Sequence, residues 1–185
     1  DFVHRVRYNQ KEYIFHIEFQ LRHESNFPQR MFVYSAELTA QFKMPVLSLA
    51  LYLENRSSPI PNEYSVTLDN VEVNRFNYIV LKLWDYTDEI LSGRLFQLAP
   101  LLTLISEKPD EEILIKEKEL ILREADAQKR SELLASAVTI ASRYFDKTFL
   151  WRFFKEEVEQ MRNASFIEDW IEEASKKAAK EAEKK

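Results

Sequence analysis

The chain has 185 residues, no cysteine, a single glycine and a net charge of −5. The missing cysteine excludes a disulfide framework and thiolate metal sites, and the lone Gly93 excludes the glycine-rich loops of common nucleotide-binding motifs. Hydrophobic residues make up 45% of the chain without any apolar run near 18 residues, so we expect a soluble, cytoplasmic protein that does not enter a membrane.

Two strands are predicted at the start of the chain, over residues 2–8 and 12–20. The second contains YIFHIEFQ, in which apolar and polar residues alternate with the two-residue period of a strand. Asn9 and Gln10 lie between them and favour a tight two-residue turn. These features together predict an antiparallel hairpin, with Glu18 and Gln20 near the end of its second strand.

One helix, three strands and a loop are expected between residues 27 and 84. Ser25 is a plausible N-cap for a helix with Pro28 in its first turn, and Pro45 precedes an apolar run typical of a buried strand. The predicted bounds are a helix over 27–42, a strand over 46–53, a loop over 55–62, and strands near 64–68 and 76–84.

The rest of the chain has the spacing of helices. Their predicted ranges are 88–92, 94–105, 109–144, 146–162 and 164–183. The final segment, EEASKKAAKEAEKK, has almost no large apolar residue, so we expect it to form a solvated or fraying helix or an oligomer contact. The order of elements predicts an α/β core over 1–105 followed by a helical extension over 106–185.

The hairpin predicts which residues face each other. With a two-residue turn at Asn9 and Gln10, the numbers of opposed residues add up to 19, so Asp1 faces Glu18. Directly opposed side chains project from the same face of the sheet, about 4.5–5.5 Å apart at Cβ. Gln20 is the next residue along that face.

Two carboxylates placed side by side repel each other, and burial increases the cost. A divalent cation removes the repulsion, and Asp1 and Glu18 supply the hard oxygen ligands that Mg²⁺ or Mn²⁺ prefers. Such an ion polarises a phosphoryl oxygen and lowers the pKa of bound water. Gln20 cannot act as a base, but it can orient the water or bind a phosphate oxygen.

This pattern resembles the PD-(D/E)XK nuclease superfamily, in which an Asp begins one strand of a hairpin and Glu-X-Lys or Glu-X-Gln ends the next. Closer still, HIEFQ, then PQRMFVY with Arg30 and Tyr34 one turn apart, then a strand ending in LYLE, and later YIVLKLWDYT, look like the Rpn family of recombination-promoting nucleases and transposases. The resemblance covers residues 1–105 well and the remainder loosely.

The resemblance implies a restriction-endonuclease-like mixed sheet flanked by helices and a Mg²⁺-dependent hydrolysis of DNA. Residue by residue, it implies that Asp1 and Glu18 are metal ligands, that Gln20 replaces the usual Lys, and that Arg30 and Tyr34 support the site or reach the substrate phosphate. The family also has a helix before the first Asp, and we expect the nuclease-like core of this chain to lack that helix. DNA binding is expected to be weak and salt-dependent because the net charge is negative.

Other interpretations remain open. Glu18 and Gln20 are also typical of the exposed face of an antiparallel sheet, and His16 is more often a structural histidine than a catalytic one. The nuclease fold can persist as a catalytically inactive interaction or oligomerisation module, and the helical tail can serve as a scaffold. A homodimer through the C-terminal helices is expected, because cutting both DNA strands needs two sites.

Overall fold

A computed structural model describes residues 1–22, 24–56, 58–164 and 166–182. The parts of the predicted elements that fall on 57, 165 and 183 lie outside the described residues. The chain divides into two compact units, Asp1–Trp84 and Asp85–Lys185. The predicted boundary falls after 105, but residues 96–105 pack against helices of the second unit.

The first unit is a mixed α/β structure. Its elements are strands β1 (Phe2–Tyr8) and β2 (Lys11–Gln20), helix α1 (Phe27–Phe42), and strands β3 (Val46–Tyr52), β4 (Glu63–Leu68), β5 (Val71–Asn77) and β6 (Ile79–Lys82). The main sheet has the order β1-β2-β3-β6, with β1 antiparallel to β2 and the other three strands parallel. The predicted α/β class with a mixed sheet and helices is thereby confirmed.

The two hairpins of this unit turn in the same way. Asn9 and Gln10 have φ of 48° and 63°, and Asp69 and Asn70 have φ of 45° and 65°. Positive φ at both central residues is the geometry of a type I′ turn, whose twist matches that of the flanking strands. The predicted two-residue turn at Asn9 and Gln10 is confirmed.

Helix α1 covers the polar face of β2. The residues at even positions from Ile14 to Gln20 are buried, whereas Phe19 is 47% exposed on the opposite face. The core on the α1 side is formed by Phe27, Met31, Ala50, Tyr52 and Tyr78. The sheet therefore buries its charged residues and leaves part of its apolar face accessible.

Several predicted bounds in this unit are wrong. Asn26, not Ser25, is the N-cap residue of α1, and it makes no side-chain capping bond. Strand β5 is not among the predicted elements, and the strand expected over 76–84 is divided between the end of β5 and the short β6. Strand β5 reads VEVNRFN, and its mixed polar side chains lie mostly exposed on a two-stranded hairpin.

The second unit is helical throughout its described elements. Its helices are α2 (Thr87–Leu91), α3 (Leu102–Ile105), α4 (Glu111–Ile121), α5 (Ala127–Ala141), α6 (Lys147–Phe153), α7 (Val158–Met161) and α8 (Glu168–Ala182), with a 3₁₀ turn at Phe96–Leu101. A further 3₁₀ turn, Leu83–Tyr86, contains the boundary between the two units. The helices predicted over 109–144 and 146–162 are each two helices. Asp126 begins α5 by accepting a bond from Lys129 N at 2.9 Å.

Helix α8 begins before the predicted solvated segment, at Glu168, and it is not solvated on every side. Ile171 and Ala174 are buried, and Trp170 Nε1 donates to Ser142 Oγ at 2.9 Å. Among the described residues, no helix combines the length and apolarity needed to span a membrane.

Candidate functional site

The register of the first hairpin follows the prediction. Tyr8 pairs with Lys11 and Phe2 pairs with Ile17, so every pair in the ladder adds up to 19. Asp1 directly precedes β1, one position beyond the last pair, and Glu18 directly follows Ile17. Both side chains line one cavity of about 300 Å³.

Helix α1 forms the other wall of this cavity. Tyr34 lies one turn after Arg30, and Glu37 and Gln41 follow at helical spacing, so one stripe of α1 faces the cavity. Glu37 and Gln41 are not among the predicted site residues. The signal available in the sequence is their spacing of three and seven residues from Tyr34.

Glu18 is held between two side chains. Its exposed fraction is 3%, its Oε1 lies 3.2 Å from His16 Nε2, and its Oε2 lies 3.7 Å from Arg30 Nη2. His16 is 2% exposed, and its ring meets the Tyr34 ring edge-on at 5.9 Å. A buried carboxylate needs such partners, because an unpaired charge is expensive away from water.

Arg30 also contacts the third motif residue. With the Gln20 carboxamide oriented so that both of its polar atoms find partners, its oxygen accepts from Arg30 Nη2 at 2.7 Å and its nitrogen donates to Arg22 O at 3.2 Å. Arg30 Nη1 donates to the Glu24 carboxylate, and the guanidinium lies 5.1 Å from the Phe27 ring centroid. Arg30 therefore brings a positive charge to both Glu18 and Gln20.

The predicted residues thus fall into two connected groups. Asp1, Glu18 and Tyr34 line the cavity, whereas Gln20 and Arg30 lie beside it and connect to it through the Arg30–Glu18 contact. His16, for which the sequence favours a structural role, contacts Glu18 and also lines the cavity.

The cavity offers ligands of the type that a hard cation prefers, but too few side chains to hold one. Asp1 and Glu18 offer carboxylate oxygens, the ligands that Mg²⁺ prefers. Within the described ranges, however, no three His, Asp or Glu side chains converge closely enough to hold a metal ion. To bind an ion here, the Glu18 carboxylate would have to leave Arg30 and contact the metal instead. The remaining ligands would be backbone carbonyls or water.

Comparison of the chain with protein-family models, with curated proteins and with solved structures finds no match.

Proposed function

We propose that the protein is a Mg²⁺-dependent DNA endonuclease of the restriction-endonuclease-like fold, acting in recombination or transposition. The observation that supports this most is the hairpin register, which leads to Asp1 and Glu18 lining one cavity beneath α1. The order of acidic residue, hairpin, Glu-Phe-Gln, helix and parallel strand is the order of the nuclease pattern that the sequence resembles.

Each side chain then has a distinct part in the reaction. Asp1 and Glu18 would hold the cation, which would supply charge stabilisation and lower the pKa of a water for attack on the phosphodiester. His16 positions the Glu18 carboxylate, from which it lies 3.2 Å away. Arg30 stabilises negative charge that develops on the phosphate, since its guanidinium is charged at every physiological pH.

Arg30 also offers an answer to the missing lysine of the third motif position. In this chain Gln20 occupies that position and accepts a bond from Arg30. The cation that the motif usually carries on the strand is supplied here from the first turn of α1. Gln20 orients the guanidinium rather than replacing its charge.

The test is cleavage of supercoiled plasmid at low salt with Mg²⁺ or Mn²⁺. We expect nicking by the full chain and a loss of at least about a hundredfold in Glu18→Gln, the size of effect seen when a group essential to the transition state is removed. Glu12→Gln is the matched control, because Glu12 is on the same strand and the same face but pairs with Arg5 and Arg7. Equal nicking by wild type and Glu18→Gln would refute the proposal.

A homodimer is part of the proposal, with the C-terminal helices as its contact, because cutting both strands requires two sites. Sedimentation of the full chain at micromolar concentration should give twice the mass of one chain. A monomer across the whole concentration range would remove this part of the proposal and leave single-strand nicking.

One observation favours a second candidate, a nuclease-like module that has lost its chemistry. Arg30 contacts both Glu18 and Gln20, so the two motif side chains already have protein partners. In that case plasmid stays intact, and divalent cations leave the melting temperature unchanged.

A further inference from the structure

The parallel strands of the first unit end side by side in one row. Gln20, Tyr52 and Lys82 are the last residues of β2, β3 and β6, and the register pairs Gln20 with Tyr52 and Tyr52 with Lys82. Neighbouring strands lie about 4.8 Å apart, so the three residues follow one another closely across the carboxyl edge of the sheet. Gln20 is two residues beyond Glu18, about 7 Å further along β2.

Three cationic side chains lie along this row. Arg30 bonds to Gln20, the Arg56 guanidinium lies 4.7 Å from the Tyr52 ring centroid, and Lys82 is itself the third residue of the row. We call Arg30, Arg56 and Lys82 the basic row. The Phe27 and Tyr52 rings that carry the two guanidinium groups meet edge-on at 6.0 Å, so one aromatic pair supports both arginines.

Two members of the basic row, Arg56 and Lys82, are not neutralised. Across the described ranges, Arg56 and Lys82 form no ion pair with a carboxylate, whereas Arg30 contacts Glu24 and Glu18. Lys82 is exposed. Neither positive charge is therefore cancelled by a carboxylate of the described residues.

Arg56 is held by its ring rather than by a counter-charge. Its Nη2 donates a long bond, 3.4 Å, to Pro59 O, and its Nε and Nη1 are buried without an acceptor in the described part of the chain. Burial raises the pKa of Tyr52, and the positive charge of Arg56 opposes that rise. The stacked guanidinium keeps its positive charge at this edge of the sheet, where it attracts phosphate through electrostatics.

We propose that Arg56 and Lys82, together with Arg30, bind successive phosphates of a nucleic-acid strand and align it with Glu18. This inference rests on the proposed nuclease function and adds the surface that holds its substrate. A row of separated cations suits a polyanion with regularly spaced charges better than it suits a single carboxylate.

The test measures, by fluorescence anisotropy, how tightly the full chain binds a fluorescein-labelled DNA duplex at low salt in EDTA. We expect Arg56→Gln and Lys82→Gln each to weaken binding several-fold and the double variant to weaken it at least tenfold. The slope of log K against log salt should fall by about one for each phosphate contact removed.

Lys11→Gln is the matched control, since Lys11 is an exposed cation of the same unit at the opposite end of β2. It should leave affinity and slope nearly unchanged. An equal loss in Lys11→Gln would show a response to net charge and would overturn the basic row. Equal affinity of the chain for polyglutamate and for DNA would also overturn it.

Two further measurements separate a loss of phosphate contacts from a loss of folding. Thermal melting of each variant verifies that it is folded, and Arg56→Lys, which keeps the charge but not the planar fork, should restore most of the salt slope. If Arg56→Lys behaves like Arg56→Gln while both remain folded, Arg56 does not contact phosphate through its charge.

The proposed basic row and the proposed nuclease activity can be refuted independently of each other. DNA binding that depends on Arg56 and Lys82, without cleavage by any variant, supports the basic row and contradicts the nuclease. Plasmid cleavage with an unchanged KM in the double variant supports the nuclease and contradicts the basic row. Absence of DNA binding by the wild-type chain contradicts both.

Discussion

His16 Nε2 lies 3.2 Å from Glu18 Oε1, and both side chains are almost completely buried. The pair is formed two residues apart on one face of a single strand, so no long-range rearrangement is needed to bring the two groups together. Burial makes the interaction matter, because either side chain left alone would be a polar group without water.

This pairing predicts strong coupling in a double-mutant cycle. His16→Leu and Glu18→Leu should each lower the free energy of unfolding by about 1–3 kcal/mol, because each removes the hydrogen-bond partner of the other buried side chain, although Glu18 keeps its contact with Arg30. The double variant should lose less than the sum of the two single effects, with a coupling of at least about 1 kcal/mol in urea denaturation. Additive effects would mean that the two side chains do not depend on each other.

The first turn predicts a stabilising substitution. Gln10 has a φ of 63°, which strains a residue with a Cβ and costs glycine nothing. Gln10→Gly should therefore raise the free energy of unfolding by up to about 1 kcal/mol. The same change at Gln29, an exposed position in α1, should lower it by about 1 kcal/mol. Destabilisation by Gln10→Gly in chemical denaturation would contradict the turn geometry.

A buried acid in the second unit predicts a pH dependence of stability. Glu117 is fully buried, and its Oε2 accepts bonds from Thr103 N at 3.1 Å and Thr103 Oγ1 at 2.5 Å. Burial raises the pKa of Glu117 to about 8, although the bonds from Thr103 oppose the rise. The folded chain therefore retains a proton that the unfolded chain releases from about pH 4.5 upward.

The direction in which stability changes with pH follows from proton linkage. The stabilisation from protonated Glu117 is fully present below the unfolded pKa and is lost as pH rises toward 8. Glu117→Gln mimics the neutral acid and cannot lose a proton. Between about pH 5.5 and 8.5 the free energy of unfolding should therefore fall by less in Glu117→Gln than in the wild type, and the difference between the two losses should be on the order of a few kcal/mol. Glu119→Gln, on the exposed face of the same helix, should follow the wild type. Parallel pH profiles for Glu117→Gln and the wild type would contradict the assignment.

The first hairpin could be predicted because two local signals agree. YIFHIEFQ alternates with the period of a strand, and the residues before it supply a two-residue turn, so the register follows by counting. Strand β5 has no such agreement, since Glu72, Asn74 and Arg75 obscure the alternation. It forms because its partner β4 and the turn at Asp69 and Asn70 complete the hairpin.

In the second unit, the break between two successive helices is hard to predict from the sequence. The predicted helix over 109–144 is interrupted between α4 and α5 without any glycine or proline at the break. The apolar spacing continues across the break, so periodicity alone does not detect it. The local signal is Asp126, whose side chain caps α5 in competition with a continuous helix.

The site could be predicted only where it depends on the hairpin. Counting along the turn brings Asp1 toward Glu18, but the face of α1 that meets the strands is a tertiary property. The contacts of Arg30 with Glu18 and Gln20, and the presence of Glu37 in the cavity wall, depend on how α1 packs. Arg56 reaches Tyr52 through a loop whose path no sequence pattern specifies.

Titration calorimetry of Mn²⁺ into the full chain tests the central claim most directly, because it measures the cation without requiring a substrate. We expect one ion per chain, with affinity at least tenfold weaker in Asp1→Asn and in Glu18→Gln and unchanged in Glu12→Gln. Absence of Mn²⁺ binding by the wild type, or equal affinity in Glu18→Gln, would contradict a cation held between Asp1 and Glu18.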